Sequence, residues 1–162
     1  MLEELLYALN ECFDGEGADG GVFLEREDPG LFYILDSLKP EEASRPIVGM
    51  SIANHAYHLS FAINVFIRRI TGDENARDID WSASWRDHPL SGAEWENLKE
   101  ELAALRKRAI LLARGYSAGE IEHSSLYFRL VSGLLTHTVF HLGIIRVKFD
   151  ELKGSSYPAI FD

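Results

Sequence analysis

Two histidines, His137 and His141, stand four positions apart in the last quarter of a 162-residue chain. In a helix this spacing stacks two side chains on one face, about 6 Å apart along the axis. Two imidazoles so placed can bind a single metal ion. The pattern H-x-x-x-H is weakly specific by itself. The zinc-protease pattern H-E-x-x-H is absent, because Thr138 occupies the glutamate position, so no adjacent carboxylate serves as a general base. A second pair, His55 and His58, lies three positions apart, and both can lean to one side of a helix. One of them could add a third imidazole. An isolated core histidine is usually satisfied by an ordinary hydrogen-bond partner, but three or four neutral imidazoles buried without partners are costly. Two such clusters on two apolar helices therefore point to a metal site between facing side chains. The other two of the six histidines stand apart. His123 precedes His137 by more than three helical turns and cannot share its site. His88, next to Pro89, reads as a solvated loop residue, with a lid over the site as its alternative role.

The elements that must hold these residues are helical. Ser51 is placed to cap a helix running to Thr71, stopped by Gly72; Ile52, Leu59, Ile63, Phe66 and Ile70 mark its buried face. Ser91 and Glu94 form the capping pattern S-x-x-E. Behind them Trp95, Leu98, Leu102, Leu105, Ala109 and Leu112 make an apolar stripe up to Gly115. Ser117 and Glu120 repeat the capping pattern more weakly. The last helix is predicted over about Ser124 to Leu152, with Gly154 after it. Toward the N-terminus, Leu2, Leu5, Leu6 and Leu9 mark a short amphipathic helix over Met1 to Phe13. A helical piece is predicted within Pro29 to Leu38, and a helix turn starts at Pro40. No strand alternation competes. The prediction is an all-α four-helix bundle forming a single domain over residues 1–162.

The connection Asp73 to Leu90 is far longer than the usual bundle loop of about 2 to 8 residues. It predicts a crossover between two parallel helices, the second and third of the bundle. Its Trp81 and Trp85 read first as anchors for a long loop, and second as an apolar roof over the metal pocket.

Composition narrows the function classes. Apolar residues make up 46% and charged residues 26%, and the formal charge is −10. That balance lacks the basic footprint that nucleic acid or an anionic membrane requires. A single cysteine, Cys12, excludes an intrachain disulfide and a cysteine-only zinc site. No signal-peptide pattern opens the chain, and no apolar run is expected to reach the about 18 to 20 residues of a membrane span. A reducing cytoplasm is the predicted compartment. Between Leu126 and Ile145 the only charged residue is Arg129. A helix so apolar must be covered on more than one side, which predicts a homodimer.

Several of these segments together resemble the DinB/YfiT-like superfamily. They are Ser-Ile-Ala-Asn-His-Ala-Tyr-His-Leu (51–59) and His-Thr-Val-Phe-His-Leu-Gly-Ile-Ile-Arg (137–146). Asp80-Trp-Ser-Ala-Ser-Trp, Ser91-Gly-Ala-Glu-Trp and Leu38-Lys-Pro-Glu-Glu-Ala-Ser-Arg-Pro add to them. The resemblance implies a four-helix bundle with a long crossover, often dimeric. It also implies a divalent metal held by three histidines, here His58, His137 and His141, with no clear role for His55. Three protein ligands leave positions open for water or substrate, as in catalytic sites. Imidazole ligands suit zinc, nickel or iron. The implied activities are hydrolysis of a small molecule or a thiol-dependent transfer; the alternative is a non-catalytic metal-binding or stress-response protein. Asn54, Tyr57 and Arg146 lie near the histidines in sequence. Each has an ordinary reading: a solvent-facing amide, a packing ring and an ion-pair partner.

Overall fold

The computed structural model describes residues 2–16, 20–22, 24–25, 28–86, 89–115 and 124–154, the last segment with side chains from Tyr127 onward. His88, His123 and the Ser117–Glu120 pattern lie outside the described residues. Within them the chain is all-helical. Its helices are α1 (Leu2–Asp14), α2 (Leu31–Asp36), α3 (Pro40–Ala43), α4 (Ile52–Ile70), α5 (Gly92–Gly115) and α6 (Ser124–Lys153). Two short 3₁₀ turns, Glu74–Ala76 and Trp81–Ser84, interrupt the α4–α5 connection.

The helix boundaries follow local chemistry. The Ser51 hydroxyl accepts the Asn54 N–H at 3.2 Å and starts α4. Gly72, at φ 79°, follows its end, a left-handed position that suits glycine. Ahead of α5, Glu94 accepts the Ser91 N–H at 2.9 Å while the Ser91 hydroxyl accepts the Glu94 N–H at 3.3 Å, the reciprocal box the sequence predicts. Asp73 and Asp80 cap the two 3₁₀ turns through the N–H groups of Asn75 and Ser82.

The helix α4 packs against both α5 and α6, while α1 packs against α6 and α2. Arg106 of α5 bonds to Asp14 and Asn10 near the end of α1, and Arg114 meets Glu3 near its start at 3.6 Å. The two helices are therefore antiparallel. Leu6, Leu9, Phe13, Ile34, Leu59, Ile63, Trp95, Leu102, Val131, Leu142 and Ile145 belong to one continuous core. The Trp95 indole N–H, buried in that core, donates to the Leu38 carbonyl at 3.2 Å.

One expectation changes. In α5 the predicted stripe holds at Trp95, Leu98, Leu102 and Ala109, but Leu105 and Leu112 are only half-buried while Ile110 and Ala113 are buried. A straight helix of 3.6 residues per turn drifts away from a 3.5-residue repeat, so the buried line rotates by one position. In α6 the segment Tyr127–Lys153 contains a stretch long and apolar enough to cross a membrane by length and composition alone. A long apolar helix of a bundle core meets the same criterion. Val131, Leu134, Leu142 and Ile145 spend part of that apolarity on the core.

Gly30 closes the junction between α1 and α2. A Cβ there would stand 2.2 Å from the Gly15 nitrogen and 2.5 Å from the Asp14 carbonyl carbon, so the backbones approach too closely for any side chain. Glu11, also buried, receives the N–H groups of Val22 and Leu24 at 2.8 and 2.7 Å.

Candidate metal centre

Helices α4 and α6 run antiparallel where the histidines meet: His58 faces His137, and His55, one turn earlier, faces His141, one turn later. One nitrogen from each of His58, His137 and His141 lies within 4.8 Å of the others. The His58 and His137 Nε2 atoms are 3.0 Å apart. Two nitrogens bound tetrahedrally to zinc at ordinary lengths would be about 3.3 Å apart. The donor set and its spacing therefore fit one metal ion.

Hydrogen bonds orient two of these rings. The Ser84 hydroxyl donates to the Trp81 carbonyl at 2.6 Å and stands 2.7 Å from His58 Nδ1. A hydroxyl has one proton, so Ser84 accepts from His58, which fixes the proton on Nδ1 and leaves the Nε2 lone pair free. His141 Nδ1 lies 2.9 Å from His55 Nδ1; this pairing leaves Nε2 of His141 as its free donor atom. Partners of this kind commonly set the tautomer and direction of metal-ligating histidines. His55 thus touches the cluster through His141 and stands outside the group of three.

The pocket is apolar and electrostatically quiet. The Trp85 indole stacks on His58 with centroids 4.2 Å apart and planes 13° from parallel, and meets His55 edge-on at 5.6 Å. Phe140 meets His141 edge-on at 5.1 Å. Burial pushes His58 down to about 4, helped by the His137 charge. Burial also takes His55 to about 4, with Lys148 and then His58 adding to it. His141 falls to about 3, first by burial and then by its three histidine neighbours. His137 is lowered by burial alone. All four are neutral at pH 7, the form that coordinates metal. Among the described residues no carboxylate bonds to them.

The remaining candidates take ordinary roles. Asn54 does not face solvent; it accepts the Arg86 N–H at 3.1 Å and ties down the connection. Tyr57 packs under the Arg86 guanidinium at 4.5 Å. Arg146 pairs with Asp28, an acid in the connection ahead of α2 rather than on a neighbouring helix. Cys12 is fully buried and its thiol is pushed up to about 12, chiefly by burial and then by Glu11, so it is no thiolate nucleophile. Sequence reasoning missed Ser84, although it quoted the segment that contains it.

A family model described as the DinB superfamily matches residues 24–145, a stretch that holds all three clustered histidines. No curated protein matches the chain, and no solved structure does. With more than half its length matched, the chain belongs to the DinB superfamily.

Proposed function

We propose that this chain is a divalent-metal-dependent enzyme acting on a small molecule, a hydrolase or a thiol-dependent transferase, with His58, His137 and His141 as the metal ligands. The carrying observation is the convergence of three neutral imidazole nitrogens within 4.8 Å on an apolar, roofed wall. When bound there, a zinc, nickel or iron ion supplies Lewis-acid polarisation of a substrate oxygen or thiolate. The chain's own residues do the rest. Ser84 holds the His58 ring in its coordinating tautomer, His55 braces the His141 ring through Nδ1, and Trp85 and Phe140 pack against the rings.

The architecture we propose around this site is one domain, a four-helix bundle of α1, α4, α5 and α6 with a crossover between α4 and α5. Arg86 supports it: its N–H reaches Asn54 near the start of α4 and its guanidinium reaches Glu94 near the start of α5 at 3.1 Å. Both helices thus begin at the same end. A homodimer through α6 is supported by its outward stripe, where Phe140 and Val147 are 63% and 59% exposed and Gly143 leaves open space. Sedimentation at micromolar concentration is expected to return a dimer, and a monomer disposes of it. A reducing cytoplasm suits the single cysteine, and the charge of −10 disfavours nucleic acid as a partner.

Elemental analysis of untagged protein after divalent supplementation tests the metal reading. Wild type is expected to carry about one equivalent per chain, and His58→Ala, His137→Ala and His141→Ala to lose most of it. Sub-stoichiometric metal in wild type overturns the reading. Metal loss with little change in melting temperature marks an open catalytic site. A collapse of stability marks a structural one and favours the non-catalytic alternative.

A further inference from the structure

A cavity of about 280 Å³ runs between α4 and α6 away from the histidines. His137 and Trp81 stand at one end of its lining, Val65, Phe66 and Leu134 form apolar wall, and Arg69 and Arg129 also line it. No acidic residue lines it. On α6 Arg129 lies eight positions before His137, about 12 Å along the axis. Arg69 stands in the last turn of α4. The antiparallel helices thus bring both guanidiniums toward the end of the groove opposite the metal centre.

Neither arginine is committed to a carboxylate among the described residues. Arg69 donates only its Nε–H, to the Ala76 carbonyl at 3.0 Å, which leaves its two terminal nitrogens for another partner. Arg129 is exposed and bonds to nothing described. The adjoining depression shares Arg69 and Leu130 with the groove and also holds Asp73, Glu74 and Arg77; Asp73 is engaged by Arg68 at 2.7 Å. In a chain of net charge −10, an apolar groove whose own lining holds two guanidiniums and no acid is a local inversion of sign, with the nearest acids, Asp73 and Glu74, in the depression beyond Arg69. Planar guanidinium donors match a carboxylate.

We propose that this groove binds a small organic carboxylate, its apolar body along the α4–α6 wall and its carboxylate on Arg69 and Arg129. The opposite end of the ligand then lies at His137. That the ligand is the substrate rests on the metal reading above; the binding itself does not.

Gly133 provides a steric test. It lines the cavity, and a Cβ there meets nothing within 4 Å. Gly133→Leu therefore adds apolar bulk to the groove lining one helical turn before His137.

Isothermal titration of hexanoate, hexanol and hexyl phosphate into chelated and metal-loaded protein tests the proposal. In the chelated protein no metal–carboxylate contact contributes. Hexanoate is expected to saturate one site at least tenfold more tightly than hexanol in both forms. Arg69→Met and Arg129→Met each weaken hexanoate fivefold or more and leave hexanol unchanged. Gly133→Leu weakens hexanoate and hexanol to the same degree, because it narrows the groove and removes neither guanidinium. His137→Ala lowers metal content and keeps the preference for hexanoate, which separates this proposal from the metal reading. Equal affinity for hexanoate and hexanol, indifference to both arginine substitutions, or a tenfold preference for hexyl phosphate overturns it.

Discussion

At the scale of single residues, the most informative side chain is one that binds nothing foreign. Ser84 is fully buried, donates to the Trp81 carbonyl and accepts from His58. Removing its hydroxyl frees the His58 ring to rotate and to exchange tautomers. Ser84→Ala is expected to weaken zinc or nickel binding by about 10- to 100-fold, read by competition with a chromophoric chelator. The buried Nδ1–H left without its acceptor costs about 1–3 kcal/mol of stability, read by denaturant unfolding. Ser84→Thr keeps the hydroxyl and is expected to recover most of the affinity. If Ser84→Ala binds metal as tightly as wild type, the serine has no orienting role. This residue was not legible in the sequence. Its partner His58 lies 26 positions away, and only the path of the connection brings the two together. The pair His137 and His141 was legible, because a four-residue spacing states its own geometry once a helix is granted.

At the scale of elements, caps and stripes were readable wherever the deciding contact is local. Ser51, the Ser91–Glu94 box and Gly72 all act within a few residues of themselves. The rotation of the buried line in α5 was missed because the stripe was read at a 3.5-residue repeat, from which a straight helix drifts over about six turns. The two tryptophans of the connection were read as either anchors or roof. Trp85 is a roof on two histidines, while Trp81, 40% exposed, packs on Phe61 and lines the groove. The α1–α2 junction offers a sharp test of close approach. At Gly30 even a methyl group meets backbone on the facing strand of chain. Gly30→Ala is expected to destabilise the protein by about 1–3 kcal/mol through overpacking, measured by urea unfolding, with metal affinity unchanged. A neutral result would mean that the junction relaxes freely.

At the scale of the whole molecule, the buried histidines couple folding to acidity. An unfolded histidine titrates near about 6.5, whereas His55 and His58 are held down to about 4 and His141 to about 3. The unfolded chain therefore binds protons more strongly, and stability rises with pH in this window. The contribution is complete above the unfolded value and is lost as pH falls from about 6.5 toward the folded values. The melting temperature of the chelated protein is expected to fall across that interval. A double substitution of His58 and His141 by glutamine is expected to flatten the fall, and an unaltered slope would place its cause elsewhere. The bulk charge of −10 was legible from composition, but the local positive end of the groove was not. Arg69 and Arg129 are far apart in sequence and meet only because α4 and α6 run in opposite directions.

The placement of the three tryptophans gives the molecule a built-in optical readout. Trp95 is sealed in the core, Trp81 is partly open beside the groove, and Trp85 lies flat on an imidazole of the metal centre. Their emission samples three different events: unfolding at Trp95, ligand entry at Trp81, and protonation or occupancy of the centre at Trp85. Leaving one indole at a time, with phenylalanine at the other two positions, would let each event be followed by its own light without any attached dye.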